Sequence, residues 1–161
     1  MTENKFENSE SVEIVEVPTS DEGTLEAAAL LITEYSWGKD YPITPLDELR
    51  KSEYCVGAYS GDKLVGFAAI NRFASPDGID SGELWLGYAV VIPEFRERGI
   101  YQKLYSHQMT YAEKESGRIL SCTNNPIIAK FLLGKGWKEI RKTKDEGGEY
   151  CSVFEYMRHS A

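Results

Sequence analysis

The feature that most constrains this chain is a run that changes character at one proline. Glu83 to Ile92 is almost wholly apolar, Pro93 ends it, Glu94 to Arg98 is charged around Phe95, and Gly99 opens a helical pattern to Ser116. A long apolar run reads as a central strand covered on both faces. Proline stops it because proline cannot donate to a ladder. Beyond Gly99, Tyr101, Leu104, Tyr105, Gln108, Tyr111 and Ala112 fall on one helical face, while Lys103, Glu113, Lys114 and Glu115 lie off it. The first helical turn has free backbone N–H groups and the positive end of the helix dipole, which together can cradle a phosphate. Gly99 permits close approach to the backbone, and Arg96 and Arg98 can add charge-assisted bonds. The same residues also suit an ordinary strand-to-helix turn with a solvated charge run.

The remaining pattern supplies a sheet around that unit. Ser11 to Val17 reads as a short strand. Asp21 to Tyr35 is helical, with Leu25, Ala28, Ala29 and Ile32 on one face. An aromatic loop, Ser36 to Thr44, and a short helix, Pro45 to Lys51, follow. Tyr54 to Tyr59 and Leu64 to Phe73 form a hairpin around Ser60-Gly61-Asp62-Lys63. Ser75 to Gly82 is a turn region. After the central strand and helix come a strand at Arg118 to Cys122 and a helix at Pro126 to Leu133. Two last strands, Trp137 to Lys142 and Tyr150 to Met157, flank Asp145-Glu146-Gly147-Gly148. The order predicts a mixed α/β sheet with helices on its faces.

Bulk properties set limits. A chain of 161 residues fits one domain, expected over residues 11–161, with the polar residues 1–10 as a fraying tail. No run approaches the ~20 apolar residues that span a bilayer, and no signal pattern is present. Cys55, Cys122 and Cys151 are odd in number and fit no metal spacing. A reducing, cytoplasmic setting is expected, without a metal. The net charge of −8 disfavours nucleic acid and anionic membranes. It either favours a cationic partner or simply keeps the protein soluble.

Arg96-Glu97-Arg98-Gly99-Ile100-Tyr101, led by Val91-Ile92-Pro93-Glu94-Phe95, resembles the acyl-CoA signature of the GNAT acyltransferase superfamily, Gln/Arg-x-x-Gly-x-Gly/Ala. Asn125 to Trp137 is similar to the family's Asn-x-x-Ala-x-x-x-Tyr-x-x-x-Gly-aromatic stretch. The element order agrees over roughly Ser11 to Met157. The resemblance implies a mostly antiparallel sheet, splayed by a bulge where acyl-CoA threads it, with helices on both faces. It implies acyl-CoA binding by Arg96, Glu97, Arg98, Gly99, Ile100 and Tyr101, with pyrophosphate on the N–H groups from Arg98 to Tyr101, and pantetheine along Ala89, Val91 and Asn125. It implies an acetyl-CoA-dependent N-acetyltransferase in which a small-molecule or peptide amine attacks the thioester directly. Many relatives pair as homodimers. Asn125 also suits a helix N-cap.

Three departures bear on the chemistry. Tyr101 replaces the signature's last small residue, Ile128 an alanine, and Leu132 the tyrosine that protonates the departing thiolate. Leucine cannot donate a proton, so another group serves, or water does, or the chain is a CoA-binding module without catalysis. Tyr88, Tyr105, Tyr150 and Tyr156 are candidate donors, or core tyrosines. Glu83, which opens the central strand, is the candidate base. It shares parity with Trp85, Gly87, Ala89 and Val91 unless a bulge intervenes. The family's glutamate aligns with Trp85 instead, so Glu83 would act through a water, and it also suits an exposed strand-edge carboxylate. Cys122 could be acylated but has no neighbouring histidine. Trp37, Tyr41 and Trp85 either line an acceptor pocket or fill the core.

Overall fold

The computed structural model describes residues 11–158. The expected N-terminal tail, residues 1–10, lies outside the described residues. The elements are β1 (Glu13–Glu16), α1 (Glu22–Ile32), α2 (Pro45–Arg50), β2 (Tyr54–Ser60), β3 (Lys63–Asn71), β4 (Leu84–Val91), α3 (Ile100–Glu115), β5 (Arg118–Thr123), α4 (Pro126–Gly134), β6 (Lys138–Lys144) and β7 (Tyr150–Met157). All strands join one sheet in the order β1-β2-β3-β4-β5-β7-β6. Every neighbouring pair is antiparallel except β4 and β5.

Two helical layers cover the sheet. Ile100, Leu104, Tyr105, Met109 and Ala112 of α3, with Leu132 of α4, pack on one face against Val56, Ala68, Ile70, Leu84 and Leu86. Leu25, Ala28 and Ile32 of α1, with Leu49 of α2, pack on the other against Cys55, Phe67 and Ala69. Trp85, Leu120 and Val153 form a third apolar cluster. The predicted helix over Asp21–Tyr35 ends earlier as an α-helix. It widens into a π-helical turn at Thr33–Trp37, closed by Gly38 N–H donating to the Thr33 carbonyl at 3.0 Å. Such a turn shifts the side chains that follow it and delivers Trp37 onto the sheet.

β4 carries a bulge. Phe67 pairs with Val90 and Ala69 with Gly87, so Tyr88 and Ala89 stand opposite Ala68 alone. Tyr88 takes φ +57°, a left-handed value rare for a bulky residue. The bulge reverses the alternation. Leu84 and Leu86 face the α3 layer before it, and Ala89 and Val91 face that layer after it. Tyr88 and Val90 face α1. Unbroken parity from Glu83 to Val91 therefore does not hold.

The β3–β4 loop is fixed by charge. Arg118 reaches Asp80 at 2.9 Å and Glu155 at 2.6 Å, and Arg141 reaches Asp77 at 2.9 Å and Asp80 at 3.2 Å. The Arg141 guanidinium holds the Asp77 carboxyl far below the usual range, and Arg118 lowers that of Asp80. A depressed folded-state pKa gives stability that is complete above the unfolded value and is lost as pH falls toward the folded one. Unfolding free energy should therefore fall from about pH 4 downward. Asp77→Asn should flatten that acid limb in denaturant titrations across pH, whereas an unchanged slope would remove Asp77 from acid stability.

Candidate active site

The parallel strands β4 and β5 pair only from Leu84, Trp85 and Leu86 to Ile119, Leu120 and Ser121. The Ser121 hydroxyl then donates to the Leu86 carbonyl at 3.0 Å, the last tie between them. β4 runs on to Val91 along β3, while β5 runs on to Thr123 along β7. A gap therefore opens between the two strands beside the bulge. An extra residue on one strand bends it and raises its twist, which is how a bulge separates a strand from one neighbour while keeping the other.

The basic loop stands at the carboxyl end of β4. Glu97 has φ +63° and Gly99 has φ +80°, and the loop curls between them. Left-handed residues among right-handed ones turn successive N–H groups toward one concavity. Gly99 is the N-cap of α3 and no side chain caps that helix, whereas Asp21 caps α1 and Asn125 caps α4. A Cβ on Gly99 would meet nothing closer than Gln102 Oε1 at 4.0 Å, so the approach is open. Arg96 turns back, and its Nε donates to the Val91 carbonyl at 2.8 Å, fastening the loop to the end of β4. The Arg98 guanidinium stacks over Phe95 at 4.7 Å. Ile100 is buried at the start of α3. Tyr101 turns toward α4 and packs edge-on against Phe131 with centroids 5.2 Å apart. Asn125 Oδ1 accepts from the Ile127 N–H at 2.8 Å, the N-cap role its residue type suggests. With Thr123, Tyr150 and Cys151 it also lines a cavity of about 230 Å³.

On the opposite face the bulge presents Tyr88. Its hydroxyl accepts from Asn71 Nδ2 at 3.0 Å and lies 3.1 Å from Glu48 Oε1. Since Asn71 donates to that oxygen, the phenol proton points to Glu48. Trp37 packs at a tilt against Tyr88, centroids 5.4 Å apart, and against Tyr41 at 4.9 Å. Tyr41 touches the β6–β7 turn, where a Cβ on Gly147 would lie 2.9 Å from its ring. Trp37 and Tyr41 are half-buried and wall this end. Trp85 is core, with its indole N–H on the Asp80 carbonyl at 3.0 Å.

Glu83 stands just before β4. Its carboxylate is 3.5 Å from Arg118, and its side chain is 41% exposed. It lies five residues before the bulge, about 16 Å of extended strand. Leu132 is buried under α3, where the family motif has tyrosine. Of the candidate substitutes, Tyr88 engages Glu48, Tyr105 accepts from Trp137 Nε1 at 2.8 Å, Tyr156 packs at a tilt against Trp137, and Tyr150 is exposed beneath Lys144. Cys122 adjoins Cys151. That contact and burial push the Cys122 thiol up, against a thiolate nucleophile. His107 is on the surface, with Nδ1 2.9 Å from the Lys103 carbonyl. Glu48 escaped sequence reasoning because it sits on a short amphipathic helix with no motif around it.

The model of the acetyltransferase (GNAT) family matches residues 24–133. The chain belongs to the GNAT family. It has the family's mixed α/β fold and is an acyltransferase of the GNAT type. No curated protein matches its sequence. Among solved structures it is similar to the ribosomal-protein-S18-alanine N-acetyltransferase of Escherichia coli, with 16% identity, a TM-score of 0.69, and coverage of 94% of this chain and 96% of that one. It is similar to the aminoglycoside 6'-N-acetyltransferase of Enterococcus faecium, with 14% identity, a TM-score of 0.68, and coverage of 92% and 98%. It is also similar to yncA of Salmonella typhimurium, solved with its cofactor acetyl-CoA, with 14% identity, a TM-score of 0.67, and coverage of 93% and 96%. Identities this low carry the fold.

The burial of Leu132 in the GNAT core gives a direct expectation. Leu132→Tyr adds a phenol to a packed site, and overpacking costs ~1–3 kcal/mol. Denaturant unfolding should show that loss, with no gain in thioester turnover. A clear gain at unchanged stability would mean that thiolate departure limits the enzyme for want of an acid.

Proposed function

We propose that the protein is an N-acetyltransferase that moves the acetyl group of acetyl-CoA to an amine by direct attack. The observation that carries the reading is the parting of β4 from β5 beside the uncapped, left-handed loop at Glu97–Gly99. The N–H groups from Arg98 to Tyr101 would receive the donor's pyrophosphate, and Arg96 and Arg98 would add charge. The pantetheine arm would enter the gap along Ala89 and Val91, with Asn125 on its far side. A backbone N–H near Val91 would polarise the thioester carbonyl. The acceptor is a small-molecule or peptide amine, and pairing as a homodimer accords with many relatives.

Acetyl-CoA should raise the melting temperature by binding the native state. Gly99→Asp should abolish the rise, because aspartate tolerates the left-handed conformation yet repels a pyrophosphate. Gly99→Asn, with the same shape and no charge, serves as the folding control. A normal shift in a folded Gly99→Asp protein would place the cradle elsewhere.

Glu83 is the carboxylate that the start of β4 offers as a base, acting through water. Were Glu83 the base, Glu83→Gln would leave acetyl-CoA binding intact and lower turnover by ~10²–10⁴, the range of a general base. Turnover unchanged across pH would exclude it. The rival reading, a CoA-binding module without catalysis, rests on Leu132. Acetyl-CoA binding without CoA release on any amine would favour that rival.

A further inference from the structure

Two carboxylates outside the donor site flank the aromatic wall, Glu48 through its bond from Tyr88 and Glu146 through its neighbour Gly147, which Tyr41 contacts. Glu48 comes from α2 and Glu146 from the β6–β7 turn. Neither has an ion-pair partner among the described residues, while nearby acids do. Arg50 takes Asp47 and Glu22, and Arg141 takes Asp77 and Asp80. Asp145 is occupied otherwise, its Oδ1 accepting from the Gly147 and Glu149 N–H groups at 2.8 and 3.0 Å. The charges acting most on this corner are negative. Partial burial, then Glu48 and Asp145, raise the Glu146 carboxyl. Burial, then Asp145 and Glu146, push the Tyr41 phenol up to about 12. Burial and Glu48 push Tyr88 up as well. Neighbouring like charges are relieved by a cation, and aromatic faces attract cations too.

The corner lies where an acceptor must come. The α3 N-terminus, where a donor would bind, packs with Ala89 and Val91 on one face, while Tyr88 turns to the other. The gap between β4 and β5 joins the two faces at the bulge. A thioester reaching the gap from the α3 side is therefore met from the side of Trp37, Tyr41, Glu48 and Glu146.

We propose that the acceptor is an amine bearing a second cationic group and no carboxylate, held by Glu48 and Glu146, and that Glu48, aimed by Tyr88 and Asn71, takes the proton from the reacting ammonium. This deepens the acetyltransferase reading and rests on it. The step balances. The ammonium gives one proton to Glu48, and the neutral nitrogen forms a bond to the thioester carbon. The carbon–sulfur bond then breaks, and the departing thiolate accepts the second proton from the new amide nitrogen. Glu48 returns its proton to water. Glu48 and Glu146 touch the acceptor, whereas Tyr88 is a positioning residue. Glu48 thereby stands as the alternative to Glu83 as base, and a normal turnover in Glu83→Gln beside a depressed one in Glu48→Gln would assign the proton to Glu48.

The test uses the full chain, acetyl-CoA, and three probe acceptors: 1,4-diaminobutane, n-butylamine and glycine. Acetyl-CoA binding is measured separately by thermal shift. Its loss in wild type would strike the acetyltransferase reading itself. CoA release should follow the order diamine, monoamine, glycine. Glu48→Gln, which keeps an acceptor for Tyr88, should lower kcat/KM for the diamine by about 10²-fold with acetyl-CoA binding unchanged. Glu146→Gln, on an exposed turn where folding is not at stake, should raise KM for the diamine more than for n-butylamine. Tyr88→Phe should raise KM for the amine and leave KM for acetyl-CoA alone, a split that general loosening of the core would not give. Normal acetyl-CoA binding with Glu48→Gln kinetics within twofold of wild type would overturn the inference. So would a preference for glycine over the diamine, or release of CoA with none of the three.

Discussion

The bulge at Tyr88 is the constraint on which the rest depends. β4 keeps its ladder with β3 to Val91 yet leaves β5 after Leu86, and two residues opposite one make that geometry possible. A tyrosine at φ +57° costs on the order of 1–3 kcal/mol. The surroundings offset it. Tyr88 is buried, Asn71 donates to its hydroxyl, Glu48 accepts from it, and Trp37 covers its ring. On the other face Gln108 of α3 donates to the Ala69 carbonyl at 2.9 Å, satisfying a strand acceptor next to the irregular register. Strain here is held by contacts from three directions.

The same bulge divides the chemistry between the faces. Without it Ala89 and Val91 would point to the side of Trp85, and the α1 layer would meet them. With it they meet α3, and Tyr88 takes the α1 side. The basic loop and uncapped helix start then serve one face, while the aromatic wall and carboxylates serve the other. The π-helical turn has its place in this. It ends α1 early and lets Trp37 and Tyr41 bridge from β4 to Gly147. Three segments far apart in sequence, the α1–α2 loop, the bulge and the β6–β7 turn, thereby make one surface.

What was legible in the sequence was local and repetitive. The Glu83–Ser116 transition marked its strand, proline stop and helix, and the observed bounds differ by about one residue, as helix and strand ends do. Gly99 and the arginines marked the loop. The bulge could be expected only by resemblance, because nothing in Leu86-Gly87-Tyr88-Ala89 announces a left-handed tyrosine. From that one residue follows the parity of everything after it, and so the loss of the shared face between Glu83 and Val91. Glu48 was invisible for a different reason. Its meaning comes from Tyr88, 40 positions away, and a hydrogen bond at that separation leaves no periodic trace. Trp37, Tyr41 and Trp85 looked alike as aromatics, and only packing separates a wall from a core.

The net charge of −8 admitted two readings, solubility or attraction of cations, and the location of the acids decides how each applies. Most of the strongly held carboxylates, Asp77, Asp80, Glu155 and Glu22, are spent on arginines that fasten loops and helices. Those pairs contribute little field at a distance, because opposite charges at contact cancel and salt screens the remainder beyond about 8–10 Å. Glu48 and Glu146 have no such ion-pair partner among the described residues, and Glu48 is half-buried against the Tyr88 hydroxyl, where charge counts for more than it does in water. A polyanionic donor must still approach a protein of like sign. On the proposed reading, Arg96 and Arg98 would meet that need on the face away from the two acids, with the sheet between. On the proposed reading, charge segregation across the sheet would keep an anion site and a cation site in one small fold from neutralising each other.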